Sequence, residues 1–80
     1  MYFVYIIRSL THPNQIYVGY TSDLKKRLAR HNCGSTHHTN KYKPWELVVF
    51  VYFKKKEKAI AFEQYLKSGS GRVFRDKRFL

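Results

Sequence analysis

Six residues separate two short apolar runs at the start of the chain, Tyr2 to Arg8 and Gln15 to Tyr20. So brief a connection joins only antiparallel neighbours, and the chain therefore opens on a β-hairpin. The first run is β-branched and aromatic almost throughout and reads as a strand buried on both faces. Thr11-His12-Pro13-Asn14 supplies the turn chemistry between the runs. Pairing Arg8 with Asn14 would set Tyr5 opposite Tyr17, with both phenols on one face, whereas a slip of one residue would part them.

The remaining pattern adds helices to this hairpin. Thr21-Ser22-Asp23 opens a helix with a hydroxyl N-cap and an acid in the first turn. Leu24 and Leu28 mark its inward stripe, and Gly34 is a natural stop after Cys33. Residues 35–43 (STHHTNKYK) read as a polar loop closed by Pro44, and WELVVFVYF, residues 45–53, as a third strand apolar enough to be central. Residues 54–67 form a second helix with Ala59, Phe62 and Leu66 on its buried face. Ser68-Gly69-Ser70-Gly71 breaks it, leaving room for a short basic helix over 72–80 that carries Val73, Phe74 and Phe79. The order β-β-α-β-α(-α) predicts one α+β domain over residues 1–80: a small three-stranded, mainly antiparallel sheet with flanking helices. An 80-residue chain buries only about 60% of its unfolded surface, so the core is small.

Composition narrows the function classes. With 44% apolar and 18% aromatic residues the chain is too rich for a disordered tail. No apolar run is long enough to span a membrane, and MYFVYIIRSL lacks the basic n-region and cleavage site of a signal peptide. The single cysteine, Cys33, points to a reducing compartment, most simply the cytoplasm. Sixteen Lys and Arg face five acids, a formal net charge of +11. Such an excess opposes compact folding unless a polyanion binds, which makes nucleic acid the first expected partner. A membrane surface would require a basic amphipathic helix with bulky exposed apolar residues, and neither main helix offers one. No obligate protein partner is indicated.

Two positions carry chemistry in this pattern. Glu63 falls between Ala59 and Leu66, inside the apolar stripe, where a carboxylate must be paired, protonated or bound to a metal. A salt bridge to a neighbouring Lys or Arg and a metal site are both open. Arg27 and His31 lie one turn apart at the border of the first helix's buried face, open to a solvated or a functional reading. Lys25, Lys26 and Arg30 point outward and, with Lys41 and Lys43 of the polar loop, are candidate phosphate contacts. Cys33 with His37 and His38 lacks the paired spacing and fourth ligand of a zinc site. Nucleophile-elbow, Walker and RNA-recognition signatures are missing. Tyr2, Phe3, Tyr5 and Tyr17 have the rings to stack on bases, although aromatics in so small a chain serve mostly as core.

The succession Val4-Tyr5-Ile6, Tyr17-Val18-Gly19, Asp23-Leu24-Lys25-Lys26-Arg27-Leu28 and a late-helix Glu63 resembles the GIY-YIG nuclease superfamily over nearly the whole chain. The likeness in length and texture is to its small stand-alone bacterial proteins. The resemblance implies motif tyrosines at Tyr5 and Tyr17, the motif glycine at Gly19 and the catalytic arginine at Arg27. It places His31 at a helix position that is His or Tyr in different branches, and it makes Glu63 the carboxylate that holds a divalent ion. Phe3 stands where the first motif has glycine, and Tyr20 where the excision-repair branch has lysine. The late asparagine of several members is replaced by the run KSGSGRVFRDKRF.

One inward carboxylate can hold one Mg²⁺ or Mn²⁺, completed by phosphate oxygen and water, whereas a two-metal site needs several converging acids. The resemblance thus implies a metal-dependent endonuclease with Arg27 clamping phosphoryl oxygens. In that scheme Tyr17 is the base once Arg27, the metal or a neutral His31 has acidified it or taken its proton, and Tyr5 either shares the proton path or only hydrogen-bonds the water. DNA is the expected substrate, RNA stays open, and nothing in the chain reads bases, so selectivity for structure over sequence follows. The rival reading is a non-catalytic nucleic-acid-binding module that keeps the fold.

Overall fold

The computed structural model describes the backbone of residues 1–34 and 37–80 and the side chains of all of these except residues 37 and 38. Its elements run β1 (Tyr2–Ser9), β2 (Ile16–Thr21), α1 (Leu24–Cys33), α2 (His37–Asn40), β3 (Trp45–Phe53), α3 (Lys56–Lys67) and α4 (Gly69–Arg78). This is the expected α+β order with the third long helix present. The sheet order is β2-β1-β3, with both pairings antiparallel. The central strand is therefore β1 and not the apolar β3, which lies at an edge. The reason is on its surface: Leu47, Phe50 and Tyr52 of β3 stay 37%, 48% and 52% exposed, whereas Val4, Tyr5, Ile6 and Ile7 of β1 are sealed.

The hairpin register differs from the expected one by two residues. Arg8 pairs with Ile16, Ile7 with Tyr17, and Tyr5 with Gly19 rather than Tyr17. A slip of two preserves the face, so both phenols still project from the same side of the sheet. That side holds Tyr5, Ile7 and Trp45, with Leu24 and Leu28 of α1 packed on them. The opposite side holds Val4, Ile6 and Val18 against Ala59 and Leu66 of α3, with Phe74 and Phe79 closing the layer. The sheet is thus covered on both faces, α1 on one and α3 with α4 on the other.

A bulge in β3 links the two layers. Ile6 pairs with Val49 but Ile7 with Leu47, so Val48 is the extra residue. Strand side chains alternate, and one inserted residue inverts the alternation. Trp45 consequently lies on the same face as Tyr5 and Ile7, where it is buried, instead of facing α3.

The helix ends follow local rules with two changes from expectation. Asp23 itself, not a hydroxyl, is the N-cap of α1 and accepts the Lys26 amide at 3.0 Å. Thr21 Oγ1 instead accepts the Asp23 amide at 3.1 Å, which fixes the approach to the cap. Gly34 closes α1 in the left-handed region at φ 81°. The GSG run does not end helical structure; Ser68 is at once the C-cap of α3 and the N-cap of α4, its hydroxyl accepting the Gly71 amide at 3.2 Å. α4 therefore begins three residues earlier than the composition suggests. The polar segment expected over 35–43 lies partly outside the described residues, and the rest contains α2. Among the described residues no helix is long and apolar enough to cross a membrane.

Candidate functional site

On the α1 side of the sheet, Tyr5 and Tyr17 bring their rings to 6.2 Å between centroids. Tyr5 lies across Gly19, its partner on β2. A Cβ on Gly19 would stand 2.6 Å from Tyr5 Oη, 2.8 Å from its Cζ and 3.0 Å from Tyr17 Cε1. The motif glycine is required here by close approach: the phenol occupies the space a side chain would fill. Tyr5 is wholly buried, while Tyr17 remains partly open beside a groove.

His31 is not at the border of the buried face but beneath it, at 1% exposure. Its Nε2 is 2.8 Å from Tyr5 Oη, and its Nδ1 is 2.9 Å from Thr39 Oγ1. Its ring also lies 4.9 Å from that of Tyr17. Burial, reinforced by the Arg27 and Arg30 guanidiniums, holds the imidazole pKa down to about 4, so the ring is neutral at pH 7. A neutral imidazole donates from one nitrogen and accepts at the other, so Tyr5, His31 and Thr39 form a directional chain of hydrogen bonds. Tyr5 is the complement: burial and then Tyr17 push its hydroxyl up to about 12, against the pull of Arg27. Thr39 is itself fixed, because its carbonyl accepts Trp45 Nε1 at 2.8 Å. The amide of Trp45 donates to Asn32 Oδ1 at 2.6 Å, tying the start of β3 to α1.

Arg27 is half-buried and lines two shallow grooves. One contains Thr21, Ser22, Asp23, Lys26 and Arg30; the other contains Tyr2, Tyr20 and Lys56. Arg27 and Glu63 act in opposite directions on the Tyr5 hydroxyl, the guanidinium lowering its pKa and the carboxylate adding the least of the upward pushes. The Glu63 side chain is 12% exposed, and its Oε2 meets Lys67 Nζ at 2.6 Å, one helical turn on. This is the salt bridge that the residue's place in the stripe left open. Lys67 Nζ also stands 5.9 Å from the centroid of the Tyr17 ring.

Glu63 would offer a cation its carboxylate, and the described residues contain no group of three or more His, Cys, Asp or Glu suited to a metal. The position accepts positive charge, as the Lys67 ammonium already demonstrates, and one carboxylate suits an ion that keeps most of its ligands as water and phosphate oxygen. Lys25, Lys26, Arg30, Lys41 and Lys43 are all exposed, as a phosphate-facing surface requires. The His37 and His38 side chains lie outside the described residues, and Cys33 is exposed. Sequence reasoning missed Thr39, Lys67, Arg72 and Arg75. Only Lys67 carried a signal, its spacing of four from Glu63; Thr39 and the two arginines gain their places from the bulge and from the α3–α4 junction.

Two tyrosines and a buried neutral histidine thus form one cluster of rings in a small basic α+β domain, with Arg27 beside surface grooves and Glu63 paired to Lys67. The chain belongs to the GIY-YIG catalytic domain family, which it matches over residues 1–77. It is 38% identical over 72 residues to a structure-specific endonuclease subunit SLX1 of Debaryomyces hansenii, a match covering 81% of this chain and 21% of that protein. It is 43% identical over 53 residues to a UPF0213 protein of Streptococcus pyogenes, covering 65% of this chain and 58% of the relative. The chain thus spans about a fifth of the SLX1 sequence and somewhat over half of the streptococcal one. The solution structure of a UPF0213 protein from Bacillus halodurans is similar in fold, with a TM-score of 0.57 and 28% identity, covering 96% of this chain and 84% of the other.

Proposed function

We propose that this domain is a divalent-metal-dependent endonuclease that hydrolyses phosphodiester bonds in DNA and selects substrates by structure rather than sequence. The observation that carries the reading is the layered arrangement of the site. Tyr17 and Arg27 border surface grooves, while the Tyr5–His31–Thr39 chain lies beneath them and fixes their surroundings. SLX1 relatives named as structure-specific endonuclease subunits support the substrate class.

The roles follow from exposure. Tyr17 faces the attacking water and, in its ionised form, accepts the water proton as oxygen bonds to phosphorus and the bond to the 3′-oxygen breaks. Arg27 clamps the phosphoryl oxygens with its planar fork, a geometry that lysine lacks. Tyr5 and His31 are sealed from substrate and act as positioning residues, with Tyr5 kept neutral well beyond physiological pH. Glu63 is the residue that would hold Mg²⁺ or Mn²⁺, and the ion when bound supplies charge relief for the leaving oxygen. The basic surface of α1 with Lys41 and Lys43 provides sequence-independent attraction to the backbone.

An end-labelled cleavage assay with Mg²⁺ or Mn²⁺ on duplex, single-stranded and branched DNA tests the proposal, with Glu63→Gln run beside the wild type. Cleavage by the wild type alone is expected, greatest on branched or flapped substrates. No cleavage by either protein, with DNA binding intact, would make this a nucleic-acid-binding module that keeps the nuclease fold.

A further inference from the structure

At the outer edge of β2 lies a groove of about 290 Å³ lined by Ile16, Tyr17, Val18, Lys67, Arg72 and Arg75. Its polar wall is made of three cations and a phenol, drawn from β2, the end of α3 and the middle of α4, and no acid is among these lining residues. Arg75 is the unusual member. Its side chain is only 17% exposed, and its Nε is buried with no hydrogen-bond acceptor among the described residues. The adjacent Asp76 carboxylate stands at 3.6 Å, too far to accept that hydrogen. A buried guanidinium donor without an acceptor is costly, and proteins seldom leave one so unless something else supplies the acceptor. Lys67 and Arg72 stand in the same groove, so an anion there would meet three cations, of which Lys67 is held by Glu63 at 2.6 Å.

We propose that this groove is a phosphate-binding subsite for the nucleic-acid backbone, taking a phosphodiester that neighbours the one to be cleaved. Arg75 is its largely buried cation, and Arg72 and Lys67 are its flanking charges. The inference rests on the nuclease reading for its substrate but not for its binding chemistry. Tyr17 belongs both to this groove and to the tyrosine pair, and Lys67 belongs both to this groove and to the Glu63 ion pair. A strand held here therefore runs past the phenol and the carboxylate.

Two metal-free measurements on the full chain test this. The first follows the Arg Nε–Hε resonances of the unmutated protein during titration with inorganic phosphate and with a short single-stranded DNA. Saturable shifts of the Arg75 and Arg72 signals with both probes are expected. Shifts with DNA and none with phosphate would still place the backbone there. An unmoved Arg75 signal while the α1 arginines respond to DNA overturns the proposal.

The second measures the salt dependence of DNA binding for wild type, Arg75→Gln, Arg72→Gln and the α3 surface control Lys58→Gln. Each groove variant should lower the slope of log K against log salt by about 0.7, the value for one phosphate contact on a single strand, with Lys58→Gln unchanged. Equal slopes in all four proteins overturn it. Because no metal or turnover is involved, a protein that binds in the groove but never cleaves would defeat the nuclease reading alone. One that cleaves with Arg75 unengaged would defeat the groove alone.

Discussion

Lowering the pH should unfold this domain through His31 in particular. The ring is 1% exposed, with both nitrogens hydrogen-bonded. It is faced by Tyr5 from β1, Tyr17 from β2, Arg27 and Arg30 from α1, and Thr39 from α2, and nothing in that set favours a positive charge. Its pKa falls from the ordinary 6.5 to about 4 on folding. Between those values the unfolded chain binds a proton that the folded chain refuses, so stability is full above pH 6.5 and is lost as the pH falls towards 4. At pH 4.5 the loss relative to pH 7 amounts to about 2.5 kcal/mol, a large fraction of what so small a domain possesses. Urea unfolding of wild type and His31→Gln at pH 7.0 and 4.5, at fixed salt, isolates the contribution. Carboxylate titration and general charge repulsion are common to both proteins. The wild type should lose about 2.5 kcal/mol more than the variant between the two conditions. Parallel losses would mean that the ring takes up its proton in the folded state, and the neutral Tyr5–His31–Thr39 chain would be refuted.

Two glycines give sharp steric predictions. Gly19→Ala pushes a methyl group into Tyr5 Oη and Cζ, and Tyr5 cannot retreat without breaking its 2.8 Å bond to His31. A stability loss of about 1–3 kcal/mol is expected by urea titration, with a displaced His31 imidazole signal by NMR; unchanged values for both would show that the phenol has room. Gly71→Ala places a Cβ on the Tyr65 carbonyl, a backbone obstacle that no rotamer relieves. It should part α4 from α3 and cost at least about 2 kcal/mol, whereas Gly69→Ala, with open space around it, should be near neutral in the same thermal melts.

What the sequence could and could not disclose follows the range of the forces involved. The hairpin, α1 and the buried stripe of α3 are local periodicities, and Tyr5, Tyr17, Arg27, His31 and Glu63 were visible from them together with the motif order. The register was missed by two residues because a two-residue slip leaves every side chain on its original face and so costs the pattern nothing. The rank of β3 was misjudged because its apolar content does not tell an edge from a centre. Phe50 and Tyr52 lie beyond the part of the sheet that Leu24 and Leu28 cover, and their rings pack on Phe3 while staying half exposed. The bulge at Val48 was the costliest omission. Without it Trp45 would face α3, its indole could not bond the Thr39 carbonyl, and the hydroxyl on His31 Nδ1 would lose its anchor. A single inserted residue on the far edge of the sheet thus decides which side chain supports the histidine. No window of neighbouring residues contains that information, because the partner that makes Val48 the extra residue is β1, more than forty positions away. The same reasoning accounts for Arg72 and Arg75. Their charge was plain, but their place beside Tyr17 depends on Gly71 letting α4 fold back against α3 without a Cβ in the way. The candidate residues were therefore legible wherever one element holds them, and hidden wherever two elements must meet to bring them together.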